Sequence, residues 1–188
     1  MEVKSAKELN LILSEASIYT GDFSKLTIQN TDEFIKTLDQ YYLGMTKDKV
    51  TISAKPKIRN IKNAAKQVKG FETIDEWTVK ISGDLLDFNK NYLDISLFEK
   101  SETKYASKMG LIDVTDYKDV IVIGYNDENK PEIILVRNCL NKEGLNLSAV
   151  AKDDNTFKLD IENVYDKYTE NSVEIYPTFG ALVSGVGA

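Results

Sequence analysis

The sequence predicts a mainly β, antiparallel fold of the sandwich or half-barrel kind, with one or two short helices and a long inter-strand loop. Three observations carry that prediction. Val120–Tyr125 and Glu132–Cys139 are apolar, β-branched runs split by the polar turn Asn126–Lys130, the pattern of an antiparallel hairpin. The first run has no polar face before Gly124, so both of its sides are expected to be buried, as in the middle of a sandwich or barrel. Shorter runs of strict alternation flank the hairpin along the chain, which implies a larger antiparallel sheet.

The remaining elements follow in order. Residues 1–29 admit two readings. Ser5 and Glu8 have capping-box spacing, with Leu9, Ile12, Leu13 and Ala16 at helical spacing. Ile12, Ala16 and Ile18, followed by a turn at Tyr19–Asp22, suit an edge strand equally well. In residues 30–44 a helix is expected: Asn30 or Thr31 caps it, Asp32 and Glu33 sit at its positive end, and Gly44 stops it. Phe34, Ile35, Leu38, Tyr41 and Tyr42 would form its docked face.

Val50, Ile52 and Ala54 alternate with polar residues as a half-buried strand, weakened at its far end by Pro56. Trp77, Val79 and Ile81 form the next strand, ended at Gly83. The stretch from Pro56 to Thr73 between them is the long inter-strand loop, and loops of that length in compact domains usually have a function. Residues 89–100 suit a short helix capped by Asn89 or a strand through Leu93, Ile95 and Leu97. Pro131 starts the second strand of the central hairpin, where its missing N–H is tolerated. Leu145–Ala149 and Phe157–Ile161 read as a further hairpin, and Val173–Phe179 as an edge strand. The chain of 188 residues fits a single domain, 1–188, with an N-terminal arm (1–29) and a flexible C-terminal tail (180–188).

Composition excludes several function classes. Apolar residues make up 42% and charged residues 29%, sufficient for a real core. No run of about 18 apolar residues is present to span a membrane, and residues 1–15 do not read as a signal peptide. There is no histidine, which removes Ser-His-Asp and Cys-His machinery and argues against zinc and haem. Neither phosphate-binding glycine motif occurs, nor an EF-hand loop. Cys139 is the only cysteine and reads as core filler in a reducing compartment. No catalytic residue, metal site or cofactor is therefore expected.

Charge is unevenly distributed. Residues 1–100 hold 15 basic and 15 acidic residues, and residues 101–188 hold 9 and 15. Lys47, Lys49, Lys55, Lys57, Arg59, Lys62, Lys66 and Lys69 cluster against the single acid Asp48. Asp153, Asp154, Asp160, Glu162, Asp166, Glu170 and Glu174 face only Lys158 and Lys167. These are either two solvated faces or a head-to-tail complementary pair, in which the basic loop of one subunit meets the acidic surface of the next. Nucleic-acid binding by the loop is the weaker reading: the loop has no aromatic residue before Phe71 for bases to stack on, and the chain has a pI near 4.9.

Several stretches together resemble the major tail (tail tube) proteins of phages from Gram-positive hosts and of phage-tail-like particles. They are Leu43-Gly44-Met45-Thr46 before an alternating strand, Pro56-Lys57-Ile58-Arg59-Asn60-Ile61, the Lys69-Gly70 turn leading to Trp77, and the strand start Gly144-Leu145-Asn146-Leu147. The resemblance covers roughly Leu43 to Ile161. It implies a β-sandwich-like subunit, six of which close a ring by joining their sheets, with rings stacked as a tube. That tube would enclose a tape-measure protein and later pass DNA. Further expected partners are tail-tip and tail-terminator proteins and, in a contractile particle, a sheath protein. Assembly would take place in the bacterial host cytoplasm and the product would reside in the virion tail. The loop carrying Lys55, Lys57, Arg59, Lys62, Lys66 and Lys69 would then contact the adjacent ring. Asp160 and Glu162, which alternate with core residues on one strand, would be lumen acids that let phosphates slide. The alternatives are an inner-tube protein of a contractile tail or bacteriocin and a β-barrel carrier or enzyme.

Overall fold

The computed structural model describes residues 14–23, 37–61, 69–125, 131–149, 155–166 and 171–176. The fold is mainly β and antiparallel. β1 (Ser14–Gly21), β2 (Tyr42–Met45), β3 (Thr51–Asn60) and β4 (Glu72–Leu85) precede the short α-helix α1 (Lys90–Ile95). β5 (Phe98–Lys100) and β6 (Tyr105–Ser107) form a small hairpin of their own. β7 (Lys118–Tyr125), β8 (Pro131–Asn141), β9 (Leu147–Ser148), β10 (Thr156–Asn163) and β11 (Val173–Tyr176) complete the order. The main sheet runs β2-β1-β7-β8-β10-β4-β3, with β9 on β10 and β11 on β8.

The central hairpin is buried on both faces, as its apolar runs predict. Val120 and Val122 with Ile134 and Val136 enter one core, together with Val79, Ile81, Leu159 and Ile161 from the far half of the sheet. Ile121, Ile123, Ile133 and Leu135 enter a second core under Phe23 and Leu38. The first core can draw on both halves of the sheet because the sheet curls. Thr46, just past β2, bridges to Leu85 at the end of β4, and Leu86 N–H donates to the Met45 carbonyl at 3.0 Å. α1 fills the mouth with Tyr92 and Ile95. Its N-cap Asn89 accepts from the Asn91 and Tyr92 amides and donates to the Leu43 carbonyl at 2.9 Å, which ties the helix to β2. The helical reading of 89–100 thus holds for its first half.

Several expected boundaries move. The helix in 30–44 does not reach Gly44: a 3-10 turn occupies Asp39–Tyr41 and Tyr42–Met45 is strand. Ladder bonds to β1 hold that segment extended, and residues 24–36 lie outside the described residues. Of the ambiguous N-terminal stretch, Ser14–Gly21 is strand, and it lies inside the sheet between β2 and β7 rather than at an edge. β4 does not end at Gly83 but passes through it. A Cβ there would lie 3.2 Å from the Lys49 carbonyl, so the glycine marks a close backbone approach rather than a stop. The Leu145–Ala149 strand shrinks to the exposed pair Leu147–Ser148.

The largest correction concerns the long loop. β3 continues through Pro56 to Asn60, which an edge strand tolerates, and β4 begins at Glu72. Both ends of the expected loop are therefore strand, and residues 62–68 lie outside the described residues.

Candidate assembly interface

The β3–β4 hairpin outruns the sheet that carries it. β10 pairs with β4 only from Lys80 to Leu85. Asn163 closes that ladder: its side-chain oxygen accepts the Val79 N–H at 2.7 Å and its amide donates to the Trp77 carbonyl at 3.1 Å. Past this cap, Pro56–Asn60 and Glu72–Trp77 continue as a two-stranded arm. At about 3.4 Å per residue the overhang is roughly 20 Å long.

Residues paired directly across the strands share a face. One face of the arm places Pro56 opposite Trp77 and Ile58 opposite Ile74. Ile58 is 55% exposed, Ile74 52% and Trp77 37%, and Ile61 and Phe71 at the tip are exposed as well. The other face is polar and internally paired: Lys57 Nζ lies 2.7 Å from Glu76 and Arg59 Nε 2.9 Å from Asp75. Those carboxylates raise the pKa of both cations, chiefly through the hydrogen bonds. A two-stranded ribbon is marginal in water on its own, and each large apolar side chain left outside a core forgoes about 1.5–3 kcal/mol.

The predicted assembly residues divide accordingly. Lys55, Lys57 and Arg59 lie on β3, not in a loop, and Lys69 is exposed at the turn. Lys62 and Lys66 lie outside the described residues. The basic excess counted along the sequence is reduced by Asp75 and Glu76, which the hairpin folds back beside Lys57 and Arg59. The sequence reading placed Trp77 in a strand with Val79 and Ile81 and missed the apolar face of the arm. The available signal was that Ile58 and Ile61 continue beyond Pro56, while Phe71, Ile74 and Trp77 return.

Asp160 and Glu162 are neighbours on the polar face of β10, beside Lys80, Ser82 and Asp84 of β4. Glu162 is bridged by Lys80 and Lys142, both at 2.9 Å, and these hydrogen bonds depress its pKa. This face is therefore mixed in charge rather than acidic. Cys139 is buried, and burial pushes its thiol well above the usual range. Among the described residues no group of three or more His, Cys, Asp or Glu is placed to hold a metal ion, and no helix is long and apolar enough to cross a membrane.

No family model and no curated protein matches the chain. Among solved structures the chain is similar to one in the sheath-tube complex of an extracellular contractile injection system, PVC, in its extended state. The match has 10% identity and a TM-score of 0.46, and it covers 94% of this chain and 100% of that one.

Proposed function

We propose that this chain is a structural subunit that self-assembles into hexameric rings stacked as a tail tube, a conduit for DNA around a tape-measure protein. The observation that carries the reading is the β3–β4 arm, a ribbon with one apolar face that its own sheet leaves uncovered. A second copy covers it. The tail-tube motifs noted in the sequence overlap the arm, from Pro56 to Ile61 and from Lys69 to Trp77, which supports the arm as the contact to the adjacent ring. Among the described residues Lys55, Lys57, Arg59 and Lys69 are the basic groups on or beside the arm, with the apolar residues supplying the affinity.

The polar face with Asp160 and Glu162 is the lumen side of this reading. A conduit must not hold phosphates, and the pairing of Glu162 with Lys80 and Lys142 occupies two cations that would otherwise attract DNA. Negative-stain electron microscopy over a concentration series tests the proposal. Rings or tubes of uniform diameter are expected from the wild type, and folded monomers from Ile58→Asp/Ile74→Asp. Normal tubes from that variant would remove the arm from the contact. Wild-type monomers at every concentration, also with a tail-tip nucleator added, would overturn the function.

A further inference from the structure

The end of β4 opposite the arm carries a second exposed apolar surface. Phe88, three residues past the strand, stacks on Phe157 of β10 with ring centroids 4.7 Å apart. Phe157 pairs with Leu85 of β4 on one side and with Leu147 of β9 on the other. Phe88 is 50% exposed, Leu147 54%, and Leu145, two residues before it, 46%. Together they form a ledge across the ends of three strands. The ledge is held from the core side. The ring of fully buried Tyr92 meets Phe88 and Phe157 at centroid distances of 6.0 and 5.8 Å. Its hydroxyl donates to the Lys158 carbonyl at 2.8 Å and lies 3.3 Å from that of Gly144, and Lys158 N–H donates to the Asn146 carbonyl at 2.9 Å.

β4 therefore has an uncovered apolar surface at each end. The arm face with Ile58, Ile74 and Trp77 lies at its start and the ledge at its finish, and the 14-residue strand is about 45 Å long. A copy displaced along β4 brings the arm of one onto the ledge of the next, and leaves a free ledge for a third. An arm-to-arm pair would stop at two copies with both ledges bare. Both surfaces carry aromatic rings, Phe71 and Trp77 on the arm and Phe88 and Phe157 on the ledge, which favours their contact. The size of the arm also points to a repeated partner. A face roughly 20 Å long and two strands wide falls well short of the roughly 800 Å² that each side of a stable pair buries. One such contact is weak, and a ring that presents several at once makes it strong. A third exposed apolar stretch, Met109–Val114, runs through a turn at Gly110 (φ 95°), has no aromatic side chain and offers no sheet on which to lay a ribbon.

We infer that the β3–β4 arm of one copy lies on the ledge of Phe88, Phe157, Leu145 and Leu147 of the next. The contact is heterologous and open, so it propagates along the strand direction instead of closing. It rests on the assembly reading and names the surface that covers the arm. Ile74 and Leu85 lie about 35–40 Å apart along the strand, so stacked copies repeat at no more than about 40 Å, and at less where β4 tilts from the stacking axis.

The test mixes two single-substitution proteins, Ile58→Cys and Leu147→Cys, with a short bis-maleimide, while microscopy follows assembly in the same samples. Buried Cys139 stays unmodified. The expected result is covalent dimer in the mixture, little in either variant alone, and a ladder of covalent oligomers from the double variant. Leu147→Asp is expected to raise the half-assembly concentration about tenfold or more while keeping its circular dichroism spectrum, and Leu111→Asp to leave that concentration unchanged. Particles that form without mixed cross-links, or that repeat at well over about 40 Å, overturn the arm-on-ledge contact and leave the assembly reading standing. Cross-linking of Ile58→Cys to itself equally overturns it, in favour of a symmetric arm pair. A rise with Leu111→Asp in place of Leu147→Asp overturns it in favour of Met109–Val114 as the cover. Absence of particles from every sample, wild type included, overturns both.

Discussion

Asn163 shows how one side chain sets the length of the arm. It sits on β10 where the ladder to β4 ends, and it supplies the acceptor that the Val79 amide loses when β10 stops. Asn163→Leu leaves that buried N–H without a partner, at a cost of about 1–3 kcal/mol. The expected result is a lower urea midpoint at unchanged m, with faster hydrogen exchange at Val79. Asp119 has a comparable role where β8 changes partner from β11 to β10. Its carboxylate accepts from the Phe23 and Asn138 amides, both at 3.2 Å, and from Arg137 at 2.9 Å, and Arg137 reaches on to Glu174 of β11. Nothing in the local sequence marks either residue, because each acts on strands distant in the chain.

At the scale of elements, the segment from Lys108 to Asp116 between β6 and β7 is fixed by charge. Hydrogen bonding to Lys108, foremost, holds Asp116 below the usual carboxylate range, while the carboxylates hold Lys108 above the usual lysine range. A depressed acid stabilises above its unfolded pKa, near 4, and loses that contribution as pH falls through the lowered value. At the other end of the pH scale the same pairing is fully present up to the ordinary lysine value and is lost as pH rises through the raised Lys108 value. That segment is thus expected to be ordered at neutral pH and to loosen below about pH 4. Proteolysis between Met109 and Val114 checks this: Asp116→Asn should be cut faster than the wild type at pH 7, with the difference shrinking in acid. The arm belongs to this scale too. Alternation at Val50 and Ile52 and at Val79 and Ile81 was legible because those side chains meet the core. The continuation past Pro56 was not, because the sequence cue of a strand is burial of alternate residues and the arm buries neither face.

For the whole molecule, the source of assembly energy decides the response to salt. If paired charges leave the contacts to apolar groups, tube formation should change little between 0.1 and 1 M sodium chloride, where Debye screening shortens from about 10 to 3 Å. Sulfate should promote it, by exclusion from apolar surface. Light scattering or pelleting across the two salts measures this. A steep loss in sodium chloride would return the energy to Lys55 and Lys69, as the linear count of basic residues had suggested.

The sequence by itself determined the fold class and the doubly buried central hairpin. It also placed the antiparallel β10 and offered the Asn89-capped helix as one of two readings of residues 89–100, since periodicity and capping are local properties. Tertiary structure alone decided where the sheet curls shut, where it forks and where its last ladder bond falls. It also turned a basic loop into a paired strand with an apolar reverse. Those outcomes depend on which distant residues become neighbours: Asp75 and Glu76 neutralise Arg59 and Lys57 only after the hairpin closes, and Trp77 is exposed only because β10 ends at Asn163.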